Sequence, residues 1–312
     1  MPYRDGLWFP GFRRKTGRNE HAMTTPGEIL RRYGIRPDKR RGQSFLTDSN
    51  TVRKIAQAAK AAPEDIVVEI GAGFGVLTRQ IAGQAGRLIA VEIDARLVEI
   101  LQKELAEFER VEIFQNDILK FDFSYISKQY KSRIKVVGNV PYNISSPVVF
   151  HLLAHRSAIS EFTLMLQKEV VERLISPPGH KSYGVPSVLL QMHADVERLF
   201  DVSATCFYPR PKVESSVIHG TFRDQPLVEL TDEAFFRRIV KAAFAQRRKM
   251  LFNNLKHAQI LENMSGAEIQ SALDESGIDG KRRGETLSLK EFALLSNILK
   301  SKAQPSGEFV NG

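Results

Sequence analysis

Apolar positions follow two different periods along the central part of the chain. From Ser49 they recur at helical spacing until Pro63 interrupts the pattern. Four short runs of branched apolar residues then predict strands at 66–70, 87–93, 111–114 and 134–137. Helical stretches at 76–82 and 95–108 separate the first three runs. This alternation predicts a parallel sheet covered by helices.

The pattern changes in the last third of the chain. Further strands are expected at 162–166, 187–200 and 215–222, but after Thr231 the apolar residues fall at helical intervals and no strand run follows. We therefore predict an α/β protein, with a Rossmann-like domain followed by a smaller all-helical domain. The expected divisions are an N-terminal arm at 1–36, the Rossmann-like domain at 37–228, the helical domain at 229–300 and a polar tail at 301–312.

Positive charge is concentrated before the first predicted domain. Residues 1–41 contain eleven basic and four acidic side chains, which supply most of the net charge of +9. Such an arm can bind phosphates, although a disordered solubilising tail explains the charge equally well. Arg40 and Arg41, at the start of the predicted Rossmann-like domain, are candidate RNA contacts. Residues 1–22 show no periodicity, and either a tail or an extension upstream of a start at Met23 would account for them.

Composition excludes several classes of protein. The single cysteine, Cys206, rules out an internal disulfide framework and suits a reducing compartment, so we expect a cytoplasmic protein. The longest apolar stretch falls well short of a membrane helix, and we expect no membrane partner. His151 and His155 are four residues apart but lack the glutamate of a zinc-protease motif, so no metal is expected.

A glycine-rich segment marks the first candidate binding site. Glu69-Ile-Gly-Ala-Gly-Phe-Gly75 follows the first predicted strand and opens a helix, which would place backbone N–H groups where an anionic group can bind. Its third glycine comes one residue too early for a dinucleotide fingerprint. Glu92 ends the next strand, where a carboxylate can accept both ribose hydroxyls, and Asp117 ends the third, where it can accept from an adenine amino group. Together these features indicate an S-adenosylmethionine site including Gly71, Gly73, Glu92 and Asp117.

The segment after the fourth strand indicates the chemistry. In Asn139-Val-Pro-Tyr142, the Asn139 oxygen and a nearby carbonyl can hold the hydrogens of an exocyclic amine and direct its lone pair toward a methyl group. Pro141 shapes the turn, and Tyr142 offers a face on which an extruded base can stack. The alternative is a proline turn with a half-buried tyrosine; the glycine loop and the two acids that precede the motif favour the functional interpretation.

Two further segments combine basic and aromatic residues. Phe207-Tyr-Pro-Arg-Pro-Lys-Val-Glu-Ser215 predicts a stiff loop in which Phe207 and Lys212 clamp a base and its phosphate, or else an ordinary proline-rich connection. Arg247, Arg248 and Lys249 interrupt an amphipathic stretch and form either a solvated helix face or a second RNA contact.

These blocks together resemble the KsgA/RsmA family of small-subunit ribosomal RNA adenine dimethyltransferases, from about Pro37 to Lys300. Besides the three motifs above, the likeness rests on four further blocks: Gly42-Gln-Ser-Phe-Leu46, Gln167-Lys-Glu-Val170, Ala243-Phe-Ala-Gln-Arg-Arg-Lys249 and Arg283-Gly-Glu-Thr-Leu-Ser288. The resemblance implies cofactor contacts from Ser44, Leu46 and Asn139 in addition to those above, and it places Asn139, Tyr142 and Phe207 around the target base. Ser44 stands where many relatives have Asn, and serine keeps a hydroxyl but reaches less far than asparagine.

The resemblance also implies a reaction. Family members transfer two methyl groups from S-adenosylmethionine to N6 of each of two adjacent adenosines near the 3′ end of small-subunit (16S) rRNA during ribosome assembly. The alternatives are an Erm-type methyltransferase of large-subunit (23S) rRNA, which confers antibiotic resistance, and a non-catalytic RNA-binding assembly factor. Tyr rather than Phe at 142 and the 283–288 block favour the assembly enzyme. Free rRNA or an assembling particle as substrate, and the order of methyl addition, stay open; a monomer is the default expectation.

Overall fold

The computed structural model describes Glu28 and residues 32–34, 36–38 and 42–303. Two compact units divide the chain. The first contains the described residues up to Val171 together with Val196–Phe222, and the second contains Glu172–Asp195 and the described residues from Arg223 onward. Residues 172–195, which the sequence prediction assigns to the Rossmann-like domain, thus group with the C-terminal helices. The domain boundaries drawn from the sequence stay a prediction.

Nine strands are present in the described part of the chain, and most of them follow the predicted runs. Their bounds are β1 Phe45–Leu46, β2 Ile66–Ile70, β3 Arg87–Glu92, β4 Val111–Gln115, β5 Ile134–Asn139, β6 Ile159–Gln167, β7 Ala194–Val202, β8 Phe207–Tyr208 and β9 Ser215–Phe222. Seven of them form one sheet in the order β4-β3-β2-β5-β6-β9-β7, and β1 and β8 form a separate two-stranded ribbon. The first five strands in that order run parallel, and β9 is antiparallel to β6.

The α-helices alternate with these strands as the sequence predicts, and they dominate the end of the chain. Their bounds are α1 Ser49–Ala58, α2 Val76–Ala82, α3 Ala95–Glu104, α4 Phe123–Tyr130, α5 Ser145–Ala154, α6 Lys168–Ile175, α7 Val185–His193, α8 Glu233–Ala243, α9 Leu251–Lys256, α10 Gly266–Glu275 and α11 Leu289–Ala303. Asp48 and Asp94 cap α1 and α3 by accepting backbone N–H bonds, which satisfies donors that the first turn leaves free. The predicted α/β fold with a helical C-terminal part is confirmed.

One predicted strand is wrong. Residues 185–193 form helix α7 and only the following nine residues form β7, whereas the sequence pattern predicts a single strand over 187–200. Pro186 lies in the first turn of α7, where a proline lacking an N–H is well tolerated. The apolar run of this helix is short, and such a run does not distinguish a buried helix from a buried strand.

The core of the first unit lies between the sheet and its helices. Ile55 of α1, Val67 of β2 and Ile81 of α2 are completely buried in one apolar cluster. Because parallel strands are covered on both faces, they are rich in apolar residues; β3 contains four in succession, and in β2 only the buried Glu69 interrupts the run. This packing fixes the carboxyl ends of β2, β3 and β5 at one edge of the sheet. Within the described residues, no helix is long and apolar enough to cross a membrane.

Candidate active site

An open cleft lies at the carboxyl ends of β2, β3, β4 and β5. Its empty volume is about 740 Å³ when the solvent at its open mouth is included. Eight of the predicted site residues line it: Ser44, Gly71, Gly73, Glu92, Asp117, Asn139, Pro141 and Tyr142. The structure therefore brings together residues that are almost 100 positions apart in the chain.

The glycine loop between β2 and α2 forms one wall of this cleft. Gly71 and Gly73 have φ values of +68° and +59°, a conformation that side chains disfavour. A Cβ on Gly73 would lie 3.4 Å from the Phe45 ring. The N–H groups of Gly71 and Ala72 already bond the Val91 carbonyl, at 2.9 and 3.3 Å. The loop therefore contributes mainly a backbone without side chains, which a ligand in the cleft can approach closely. It offers fewer free N–H groups than the sequence predicts.

Glu92 is held rigidly at the end of β3. Its Oε2 accepts the N–H of Gly73 at 3.0 Å, and its Oε1 accepts the N–H groups of Ile93 and Asp94, both at 2.9 Å. The side chain is 6% exposed, and this burial raises the pKa of its carboxyl group. Since both oxygens are fixed by backbone donors, the carboxylate has one orientation at the wall of the cleft.

Asp117 takes a comparable position after β4. Its Oδ1 accepts the N–H of Leu119 at 3.0 Å and so caps a short 3-10 helix at Ile118–Lys120. Because this bond uses only one carboxylate oxygen, the other can meet a hydrogen-bond donor in the cleft.

Asn139 ends β5 and faces the cleft with a defined amide orientation. Its Nδ2 donates to the Ser44 carbonyl at 3.1 Å. No described residue donates to its Oδ1, so this oxygen is available to a ligand amine. Val140 follows in the same wall, and its N–H bonds the Met165 carbonyl of β6 at 3.1 Å. The neighbouring sheet strand thus fixes the segment that was predicted to orient the reacting amine.

Tyr142 begins the 3-10 helix Tyr142–Ile144 directly after Pro141. Its hydroxyl lies 2.6 Å from Oγ of Ser215, a residue with no exposed surface at the start of β9. Burial raises the pKa of the Tyr142 phenol, so the hydroxyl stays protonated at neutral pH and is unsuited to act as a base. Its ring remains at the wall of the cleft, where a flat ligand can stack on it.

Comparison with known proteins identifies the family of the chain that forms this cleft. The ribosomal RNA adenine dimethylase family model matches residues 36–300. The chain belongs to this family. The resemblance found in the sequence is thereby confirmed.

The adenine dimethylase family includes relatives that match nearly their whole length. The small subunit ribosomal RNA methyltransferase A of Syntrophus aciditrophicus is 43% identical over 278 residues, covering 89% of this chain and 99% of the relative. The protein of the same name from Geobacter metallireducens is 45% identical, covering 86% and 98%. A solved structure of the 23S rRNA methyltransferase ErmE is similar with a TM-score of 0.64 and 25% identity, covering 82% and 99%. A dimethyladenosine transferase from Plasmodium falciparum has a TM-score of 0.68 at 24% identity, covering 80% and 95%, which shows the shared fold.

Two predicted site residues of this family member do not line the cleft. Leu46 and Phe207 are 4% exposed, face each other across the β1–β8 ribbon, and belong to the core cluster of the first unit. The role of Phe207 beside a target base therefore stays a prediction, and it requires the ring to leave the core.

The predicted RNA contacts of this family member are in different environments. Arg40 and Arg41 lie outside the described residues. Lys212 is exposed on the loop after β8. Arg247, Arg248 and Lys249 are exposed in the turn between α8 and α9, where a helix face was one of the two expectations. Arg247 is paired there with Glu285 at 2.6 Å.

Several residues of the cleft flank predicted site residues but were not themselves predicted. Gln43 and Phe45 alternate with Ser44 along the entry to β1, and Ile93 follows Glu92 directly. Ile93 is 50% exposed and provides an apolar surface for a flat ring. The available signal in the sequence was its position directly after the strand-ending acid Glu92.

The two histidines singled out in the sequence are engaged by backbone carbonyls. His151 Nε2 lies 2.9 Å from the Phe121 carbonyl, and His155 Nδ1 lies 3.0 Å from the carbonyl of His151. Among the described residues, no group of three or more His, Cys, Asp and Glu side chains is placed to hold a metal ion.

Proposed function

We propose that the protein transfers methyl groups from S-adenosylmethionine to N6 of two adjacent adenosines near the 3′ end of small-subunit rRNA. The observation that carries this proposal is the position of Asn139, whose amide donates to the Ser44 carbonyl and leaves its oxygen facing the cleft. The 43–45% identity to small subunit methyltransferases A supports the substrate.

The donor set of the cleft fits this cofactor. Glu92, with its carboxylate held in one orientation, suits a pair of ribose hydroxyls, and Asp117 suits an exocyclic amine of an adenine. Ile93 offers exposed apolar surface in the same cleft. The glycine loop leaves room for the amino-acid part, since a Cβ on Gly73 would fill space beside Phe45. When bound, S-adenosylmethionine supplies an electrophilic methyl group.

Residues around the target amine orient it for methyl transfer. An adenine amino group is a poor nucleophile because its lone pair is delocalised into the ring. Asn139 Oδ1 and the Val140 carbonyl can each accept one hydrogen of this amine. These two hydrogen bonds favour a pyramidal amine, whose lone pair is directed toward the methyl group and no longer into the ring. Tyr142 holds the base by stacking, so that alignment accounts for most of the rate. Its neutral hydroxyl is hydrogen-bonded to Ser215. The amine becomes cationic and acidic on methylation, so it loses its proton to solvent after transfer and no dedicated base is required.

The alternative substrate class is large-subunit rRNA. The fold does not separate the two classes, because the ErmE structure is as well covered as the dimethyladenosine transferase. Sequence identity does favour one, since relatives named for the small subunit are 42–45% identical and ErmE is 25% identical.

The test is transfer of labelled methyl to three RNAs: small subunits lacking the modification, deproteinised small-subunit rRNA and deproteinised large-subunit rRNA. We expect dimethyladenosine in small-subunit RNA, and the first two substrates distinguish a particle from free RNA. Label confined to large-subunit RNA would establish the Erm-type activity, and RNA binding without label would indicate a non-catalytic assembly factor.

Asn139→Ala tests the mechanism in the same assay. We expect turnover to fall about 100-fold or more, because the amine loses its main acceptor, and the cofactor Kd to change much less, because Glu92 and Asp117 still hold the cofactor. Asn50→Ala is a matched control, since Asn50 is exposed at the start of α1 and does not line the cleft. Turnover of Asn139→Ala close to that of the control would refute the assigned role.

A further inference from the structure

Tyr208 is the exposed aromatic residue of the loop that the sequence analysis assigned to base binding. Its side chain is 53% exposed, whereas that of Phe207 is 4% exposed. Successive residues of a strand point to opposite faces, so in β8 Phe207 enters the core and Tyr208 points away from it. The aromatic surface that this loop presents to solvent is therefore that of Tyr208.

The face on which Tyr208 lies is the face of the cleft. In the β1–β8 ribbon Tyr208 is directly opposite Phe45, and directly opposed residues share a face. Phe45 lines the cleft. Ser44, which also lines it, donates through Oγ to the Pro209 carbonyl at 2.8 Å. The ribbon thus attaches the loop to the wall of the cleft and puts Tyr208 on the same ribbon face as the cleft residue Phe45.

The same loop has uncompensated positive charge. Arg210 and Lys212 are exposed, and among the described residues neither has an ion-pair partner. The loop's acid, Glu214, is paired with Lys168 at 3.0 Å, and Lys168 also pairs with Asp201 at 3.1 Å. Arg198 also lies 3.7 Å from Asp201, so two cations balance these two acids. The charges of Arg210 and Lys212 therefore remain available to phosphates.

From these observations we propose that Tyr208, Arg210 and Lys212 form a binding site for a second nucleotide of the RNA strand, next to the one that enters the cleft. Tyr208 stacks on its base, and the two cations bind the adjoining phosphates. This inference rests on the proposed function, because it assumes a single-stranded RNA segment at the cleft. Stacking of this kind tolerates any base, so the site would add affinity and register with little sequence preference.

The experiment compares Tyr208→Leu with Tyr208→Phe. Leucine keeps apolar bulk and removes the aromatic face, whereas phenylalanine keeps the face and removes only the hydroxyl. Tyr125→Leu is the matched control, since Tyr125 is also 53% exposed and lies on α4. Thermal unfolding and the Kd for S-adenosylhomocysteine show that each variant is folded with an intact cofactor site.

Two readouts are measured with short single-stranded RNAs that contain the target adenosines and 2-aminopurine at one flanking position at a time. We expect fluorescence quenching at one flanking position with the wild type and with Tyr208→Phe, and its loss with Tyr208→Leu. We also expect Tyr208→Leu to raise the KM for RNA about 5- to 100-fold with kcat nearly unchanged, as for loss of one stacked base.

The outcomes separate this inference from the proposed function. Wild-type protein that quenches a flanking 2-aminopurine but transfers no methyl supports the nucleotide site and rejects the activity. Wild-type protein that methylates small subunits, combined with a Tyr208→Leu variant equal to Tyr125→Leu in quenching and KM, rejects the nucleotide site alone. A fall in kcat without a change in KM or quenching would also overturn it.

Discussion

Glu69 should make the stability of this protein depend on pH in an unusual direction. The side chain is 2% exposed in the middle of the sheet, and its Oε2 has no hydrogen-bond partner among the described residues. Burial, with a smaller contribution from the charge of Glu92, raises its pKa to about 8. At neutral pH the folded protein therefore holds this carboxyl group protonated, while the unfolded chain ionises it.

The sign and size of the effect follow from proton linkage. Because the folded state binds the extra proton, the stability contributed by Glu69 is fully present below its unfolded pKa and is lost as the pH rises toward 8. The slope is about 1.4 kcal/mol per pH unit, so the free energy of unfolding should fall by about 3 kcal/mol from this group between pH 5 and 7. Glu69→Gln has a neutral side chain of the same shape and should lack this dependence.

The assay is urea unfolding of the wild type and Glu69→Gln at half-unit steps from pH 5 to 8. Burial lowers the pKa of His151 and His219, which therefore titrate in the same window with the opposite sign. Both histidines are present in each protein, so the difference between the two curves isolates Glu69. Glu99→Gln, on the exposed side of α3, is the control and should leave the curve shape unchanged. A wild-type minus Glu69→Gln difference that stays constant over this range would refute a neutral buried Glu69.

Three further substitutions test the packing described above. Gly138→Ala should destabilise the first unit by about 1–3 kcal/mol, because a Cβ would lie 2.7 Å from the Ile70 carbonyl oxygen; urea unfolding measures this. Ser215→Ala should lower the methyl-transfer rate several-fold, because the Tyr142 ring loses the hydrogen bond that holds it. In a Tyr142→Phe background the same change should have no further effect, which a double-mutant cycle in the transfer assay measures. Asp232→Ala should cost about 1 kcal/mol as the N-cap of α8 is lost, measured by thermal unfolding.

Each of these three substitutions can be compared with a second change in the same protein. Gly83→Ala should be nearly neutral, since no atom lies within 4 Å of its Cβ position, and equal effects at the two glycines would contradict the packing argument. Additive losses for the Ser215 and Tyr142 changes would mean that the hydroxyl contact does not position the ring. Asp224→Ala, an exposed acid outside the helices, is the comparison for Asp232→Ala.

The sequence predicts the parts of this fold whose signals are local. Strands β2 and β9 and helix α2 have the predicted bounds. Each is marked in the sequence by apolar positions at the spacing of its own type of element and by glycine or polar residues at its ends. Helix α7 was missed because its apolar run is too short to have a period. In the site, the strand-ending residues Glu92 and Asn139 were predictable, since parallel strands end at one edge. The burial of Phe207 was not, because it depends on pairing with Leu46, far away in the chain.

The connectivity of the first unit has a consequence for synthesis of the protein. Its sheet is interrupted in the chain by residues 172–195, which belong to the second unit, and it is completed only by β9 pairing with β6. The ribbon that carries Ser44 likewise closes on Pro209, 165 residues later. Contacts of such separation form late, so a nascent chain that ends before residue 209 has a glycine loop and Asn139 but an incomplete cleft wall. Methyl-transfer competence should therefore arise only after about two thirds of the chain has been synthesised.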